Sequence, residues 1–451
     1  MFINIILFIL GYILIYNMFS KNYKFLIIAL FQIIFLSLWA HLSTFFIDSQ
    51  NGIYAIELMK FIDVDHSSSY RMIFLITFLV GVMLFFNEKR RNHLERLYNT
   101  NSIIDYKFFS FKIETIVKIL FSIFLFVVLL DILSKPIPLF SSIGKGEYYI
   151  NFASPIVKYF YTYGTFISFF IGYFIFITFR KKNVFDFVFL FLFFEILLIF
   201  LLLGNKFSAL FTSLCFFLIP LSLLTLSKEK IFPKINLKFV RFTALVLFIF
   251  IAYNFFSYFF LNPEWSPTYG LAMFGNRLLI QQGQIFSSTF SRVVDLSIID
   301  SSLAFFRVFK DPVYNLESNT SLHFLMFQDI GINAYTQIEA GYGFTSDLSA
   351  ILLELFGPTF ALVIYFLFSL LLAFVLYLIL CSILKYKYIT VFFGIFVYHS
   401  IALSIIGGKL TYFCCGEISM MYGLKVFLFV SAYYYEEFLL KKINFYNYNS
   451  T

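Results

Sequence analysis

The stretch FDFVFLFLFFEILLIFLLL, residues 185–203, decides the class of this protein. It is long enough to cross the hydrocarbon of a bilayer, and its only charges are Asp186 near one end and Glu195 in the middle. Apolar side chains surround the segment instead of forming one stripe, as expected of a helix whose solvent is lipid. The rest of the chain repeats the pattern. Of 451 residues, 61% are hydrophobic, 13% are charged and 70 are Phe, a balance that no arrangement of soluble domains could shield from water.

Working outward from that segment, spans are predicted at 2–19, 25–46, 70–86, 113–133, 156–179, 185–203, 208–226, 240–260, 358–380, 389–406 and 418–436. The expected fold class is therefore all-α, a polytopic transmembrane bundle of about eleven spans. The first, Phe2 to Phe19, has no basic flank before it and no small-residue cleavage site, so a retained helix is expected. Lys and Arg gather in every second loop: Lys21 and Lys24, Lys89 to Lys112, Arg180 to Lys182, Lys228 to Arg241, Lys385 with Lys387, and Lys441 with Lys442. That side carries roughly 20 basic residues against about 12 on the other, which marks it as cytoplasmic and places the N-terminus outside and the C-terminus inside. The net charge of +8 is thus a topology signal spread over short loops, not a nucleic-acid face.

Three regions follow. Residues 1–260 hold eight spans, 261–357 form an extracytoplasmic loop, and 358–451 hold three spans and a cytoplasmic tail. A loop of about a hundred residues is too long for an idle connection, so function is expected to concentrate there. Within it, Leu271 to Phe309 mixes apolar and polar residues as an amphipathic helix does, and is expected to lie on the membrane surface. Gly357-Pro358 is expected to divide a second interfacial helix from the span after it.

The outer side offers Lys206 in a tight turn, Arg277, Arg292, Arg307 and Lys310 in the large loop, and Lys409 after Gly407-Gly408. Guanidinium and ammonium groups at that boundary suit a lipid-linked diphosphate. The three arginines recur every fifteen residues, so on one continuous helix neighbours would stand about 22 Å apart and turned by about 60°. The loop must fold back, or only one or two of them bind. Arg277 and Arg292 flank Gln281 and Gln284, whose amides suit sugar hydroxyls. His323, Asp329, Glu339 and Glu354 are candidates to accept the proton of an attacking sugar hydroxyl, and Glu195 is an intramembrane carboxylate for which a functional or paired role is the default.

No metal or cofactor is expected. The four cysteines lack paired metal spacing, Asp63-Val64-Asp65-His66 is an acidic run that arises easily by chance, and neither a phosphate-cradling nor a dinucleotide glycine motif is present.

The layout resembles the O-antigen polymerase (Wzy), or oligosaccharide repeat-unit polymerase, family. The likeness covers most of the chain: Phe- and Ile-rich spans, basic cytoplasmic loops, and a large outer loop before the last helices. Local likenesses are the Leu203-Gly204-Asn205-Lys206 turn, the Arg277 to Gln284 run, and the approach from Gly341-Tyr342-Gly343 to Gly357-Pro358. The arginine-then-glycine spacing of some members is absent after Arg277 and Arg292. The resemblance implies metal-independent transfer of a growing glycan from undecaprenyl pyrophosphate onto an incoming lipid-linked repeat unit, at the outer face of the bacterial inner membrane. It also implies flippase and chain-length-regulator partners. Competing expectations are an O-antigen ligase, a metal-using lipid-sugar glycosyltransferase built on Asp63 and Asp65, and a lipid-linked oligosaccharide flippase, which the lopsided loop disfavours.

Overall fold

The structure is a computed structural model, and it describes residues 2–20, 23–50, 52–56, 58–100, 107–108, 111–141, 143, 145–182, 184–205, 207–226, 266–297, 320–339, 346–414 and 416–449. Of the described residues 84% are helical. Among the described residues the strands form two hairpins, of which the one that matters below pairs β1 (Ile53–Ala55) with β2 (Lys60–Ile62). The chain is a membrane-embedded all-α protein. Seven described helices are long and apolar enough to cross a membrane, and Ile6–Met18 and Phe187–Leu202 are shorter apolar helices. The expected span at 240–260 lies outside the described residues.

The helices form two compact units that interleave along the sequence. One comprises residues 20–32 and 94–270. Its helices include α2 (Lys24–Ala29), α6 (Ile113–Leu133), α7 (Lys145–Asn151), α8 (Pro155–Lys182), α9 (Phe187–Leu202) and α10 (Ser208–Leu221). The other comprises residues 1–19, 33–93 and 271–451. It holds α1 (Phe2–Ser20), most of α3 (Phe31–Asp48), α4 (Ser67–Phe85) and the start of α5 (Glu88–Thr100). It continues with most of α11 (Pro267–Leu279), α12 (Gln281–Phe290), a π turn (Ser291–Asp295), α13 (Thr320–Ile330) and α14 (Asn333–Glu339). Last come α15 (Leu348–Leu384), α16 (Tyr388–Gly407), α17 (Thr411–Cys414) and α18 (Gly416–Asn449).

Three expectations are corrected here. The predicted span over 25–46 is broken at Leu30, between α2 and α3. The segment read as one surface-lying amphipathic helix is divided: Leu279 ends α11, whose residues stay largely exposed, in α12 every residue from Gly283 to Phe290 is buried against α3, α4, β2 and α15, and residues 298–309 lie outside the described residues. A helix can bury serines and glutamine when neighbours supply partners, so mixed polarity marks a polar interior as readily as a surface. The first part of α15 likewise has Leu348 to Leu355 buried instead of lying on a surface. Its break falls at Gly357, as the glycine-proline pair implies, where φ of 69° and ψ of 178° form a conformation that only glycine adopts readily.

Candidate functional site

The site lies where α12 is wedged into the second unit. α12 begins at a seam that α3 closes: the Ser43 hydroxyl donates to the carbonyls of Leu279 and Ile280, both at 2.9 Å, and the Trp39 indole donates to Leu278 O at 2.8 Å. These donors take up carbonyls left free where one helix ends and the next begins. Gly283 permits the approach, because a Cβ there would lie 2.6 Å from Thr44 N and 2.8 Å from the Ser43 carbonyl carbon.

Around the far end of α12 three polar groups converge. The first is Asp48, at the end of α3. Its Oδ1 accepts the Ser67 hydroxyl at 2.6 Å, and its Oδ2 accepts the Ser68 N–H at 2.8 Å and the Ser68 hydroxyl at 2.6 Å. Ser67 then meets Ser287 of α12 at 2.9 Å. The second pairs Arg71 of α4 with Asp347, and the guanidinium sits 4.8 Å from the centre of the Phe286 ring. Asp347 also accepts the Ser349 N–H at 3.1 Å and so caps α15.

The third is the richest. Arg292, in the π turn after α12, donates to Glu354 from Nε at 3.0 and 3.1 Å and from Nη2 at 2.6 Å, and to Asp329 from Nη1 at 2.8 Å. The same Asp329 Oδ1 accepts Lys60 Nζ of β2 at 3.1 Å and the Ser288 hydroxyl of α12 at 2.6 Å. Side-chain exposure falls from 39% at Lys60 to 14% at Arg292, 1% at Glu354 and 0% at Asp329, so the cluster meets solvent mainly through its cations. Burial works against the guanidinium's charge, but the Glu354 bond and the neighbouring carboxylates outweigh it and hold Arg292 above its ordinary value. Arg292 is therefore a fixed cation with all three of its nitrogens engaged.

Of the residues singled out from the sequence, Arg292 and Glu354 come together directly, and Asp329 joins them. Gln284 lies on α12, fully buried; Gln281 is half-buried at its start. Arg277 is exposed in the last turn of α11. His323 is buried on α13, the helix that carries Asp329. That helix is tied to the turn containing Lys409, because the Ser321 hydroxyl donates to Gly408 O and accepts the Leu410 N–H at 3.2 Å. Glu339 closes α14. Glu195 sits half-buried mid-way along α9, in the other unit. Lys206, Arg307 and Lys310 lie outside the described residues.

Sequence reasoning missed Lys60, Arg71, Asp347, Asp48 and the serines of α12. A signal existed for Arg71, a full charge just inside a predicted span, where an ionisable residue is costly enough to demand a partner. None existed for Lys60, which becomes notable only once the hairpin sets it beside Asp329. Among the described residues no group of three potential metal ligands comes together.

Residues 319–430 match the model of a family of unknown function (DUF6418). The match begins just before α13 and takes in Asp329, Asp347 and Glu354, but not Lys60, Ser288 or Arg292. No curated protein and no solved structure matches the chain.

Proposed function

We propose that this protein is a glycan polymerase of the bacterial cytoplasmic membrane, joining undecaprenyl-pyrophosphate-linked oligosaccharide repeat units at the outer face. The N-terminus is then extracytoplasmic and the C-terminus cytoplasmic, following the distribution of basic loops. The observation that carries the proposal is the Lys60–Asp329–Arg292–Glu354 cluster, which joins three parts of the large loop to the β1–β2 hairpin and buries both carboxylates. An ionic cluster this deep is expensive unless it has work to do.

The charges within the cluster balance, two cations against two carboxylates, so it attracts no further anion strongly. Hydroxyl groups suit it better. In this scheme Arg292 and its carboxylates serve the sugar end of the substrate, with Gln281 and Gln284 nearby in sequence. Arg277 and Lys409 then meet the departing lipid diphosphate, and His323 is a second candidate to take the proton. Stabilising charge on the leaving group is where such cations contribute most to transfer. The partners implied are a flippase that delivers the repeat unit and a regulator of chain length.

The test is the surface-polysaccharide profile of a strain lacking the gene. A single-repeat band without a ladder supports the polymerase. Loss of both overturns it in favour of a ligase or flippase, and an unchanged ladder excludes all three.

A further inference from the structure

The two buried carboxylates of the cluster differ in one respect. Both oxygens of Glu354 are held by the Arg292 fork. Asp329 takes all its donors, Lys60, Arg292 and Ser288, on Oδ1, while its Oδ2 is buried with no hydrogen-bond partner. A buried carboxylate oxygen without a donor is costly and uncommon, and it asks for a ligand. The three donors on the other oxygen come from three elements, β2, α12 and the π turn, so the carboxylate plane is fixed before anything arrives.

We propose that Asp329 is a catalytic residue that receives the proton of the attacking sugar hydroxyl on Oδ2, with Ser288 and Lys60 as positioning residues; this rests on the polymerase reading. The donor to Oδ2 must be an O–H or N–H group, and a sugar hydroxyl fits. As the acceptor oxygen forms its bond to the anomeric carbon, the carbon–oxygen bond to the diphosphate breaks and the lipid diphosphate leaves with the electron pair. The hydroxyl proton moves to Asp329 and from there to solvent. The hydroxyl becomes strongly acidic as its new bond forms, so a carboxylate in ion pairs is basic enough to take the proton late in the step. Lys60, the most exposed member, marks the side from which solvent reaches the cluster.

The experiment is complementation of the deletion strain with Asp329→Asn, Asp329→Glu and Glu354→Gln, with membrane protein levels measured in parallel. Polymer formation is then followed in membranes, using the lipid-linked repeat unit across a pH series. Asn keeps an oxygen for the three donors and places NH2 where Oδ2 stands, so it keeps contacts but cannot accept a proton. The expected result is a fall of about a hundred-fold or more in polymer at normal protein level, with the single-repeat band retained. Asp329→Glu restores measurable polymer and shifts the acidic limb of the pH profile. Ladder within two-fold of wild type in Asp329→Asn, or an unmoved limb in Asp329→Glu, overturns the proposal while leaving the polymerase reading intact. An unaltered ladder in the deletion strain defeats that reading instead. Should Asp329→Asn fail to accumulate, Ser288→Ala decides, because it removes one donor to Oδ1 and leaves Oδ2: kcat several-fold lower at near-normal KM is expected, and unchanged kcat overturns the assignment.

Discussion

The two units differ in how much charge they bury. In the unit of residues 20–32 and 94–270, helices meet through rings: Phe193 stacks on Phe217 with centroids 3.9 Å apart, and Phe174 stacks on Phe189 at 5.5 Å. Its described ion pairs, Lys118–Asp186, Lys135–Asp131 and Lys181–Glu114, sit near helix ends and keep part of their surface exposed. The unit containing α12 instead carries charge into its interior, with Asp329 and Glu354 nearly inaccessible. Lipid is as apolar as a phenyl ring, so ring packing is a low-cost way to join membrane helices, whereas buried ions demand exact partners. The contrast makes the second unit the place to test the proposed chemistry.

Arg292→Ala should break that contrast most severely. It leaves Glu354 and Asp329 without their shared counter-charge, and removing one partner of a buried pair costs about 3–5 kcal/mol. Thermal stability of the detergent-extracted protein should drop sharply, or folded protein should be lost from the membrane. Arg292→Lys, which keeps charge without the three-nitrogen fork, should fall between. Next in size is Gly283→Ala, whose Cβ would press on the α3 backbone at Thr44 and cost about 1–3 kcal/mol as overpacking does. Its effect on polymer should exceed its effect on stability, because it moves α12 and with it Ser288.

Substitutions in the other unit sharpen the comparison from below. Phe217→Leu removes the ring stacked on Phe193 and should cost about 0.5–1.5 kcal/mol beyond the lost burial, with the glycan ladder unchanged. Lys118→Met breaks a partly exposed pair near the helix ends and should leave the glycan ladder unchanged. Glu195 is the unit's mid-helix carboxylate, and among the described residues no hydrogen bond or ion pair reaches it. Glu195→Gln should preserve the ladder; its loss would show that the chemistry is not confined to the second unit.

How much was legible beforehand differs between spans and site. Runs such as 113–133 and 389–406 reappear as α6 and α16 within a residue at either end, because length and hydropathy are properties of the segment alone. The buried serine helix Gln281–Phe290 was misread as surface-lying, since its polar residues look the same whether water or another helix satisfies them. Arg292 and Glu354 were singled out separately, as cation and base, and their union depended on the π turn that ends α12 and the packing of the first part of α15 against it.

Sequence by itself determined that the chain lives in a membrane, that it is helical, and where most apolar helices run. These follow from the local cost of exposing backbone and charge to hydrocarbon. Only tertiary structure decided which charges become partners, because ion pairing at 3 Å depends on elements brought together from residues 60, 292, 329 and 354, and no spacing along the chain encodes that meeting.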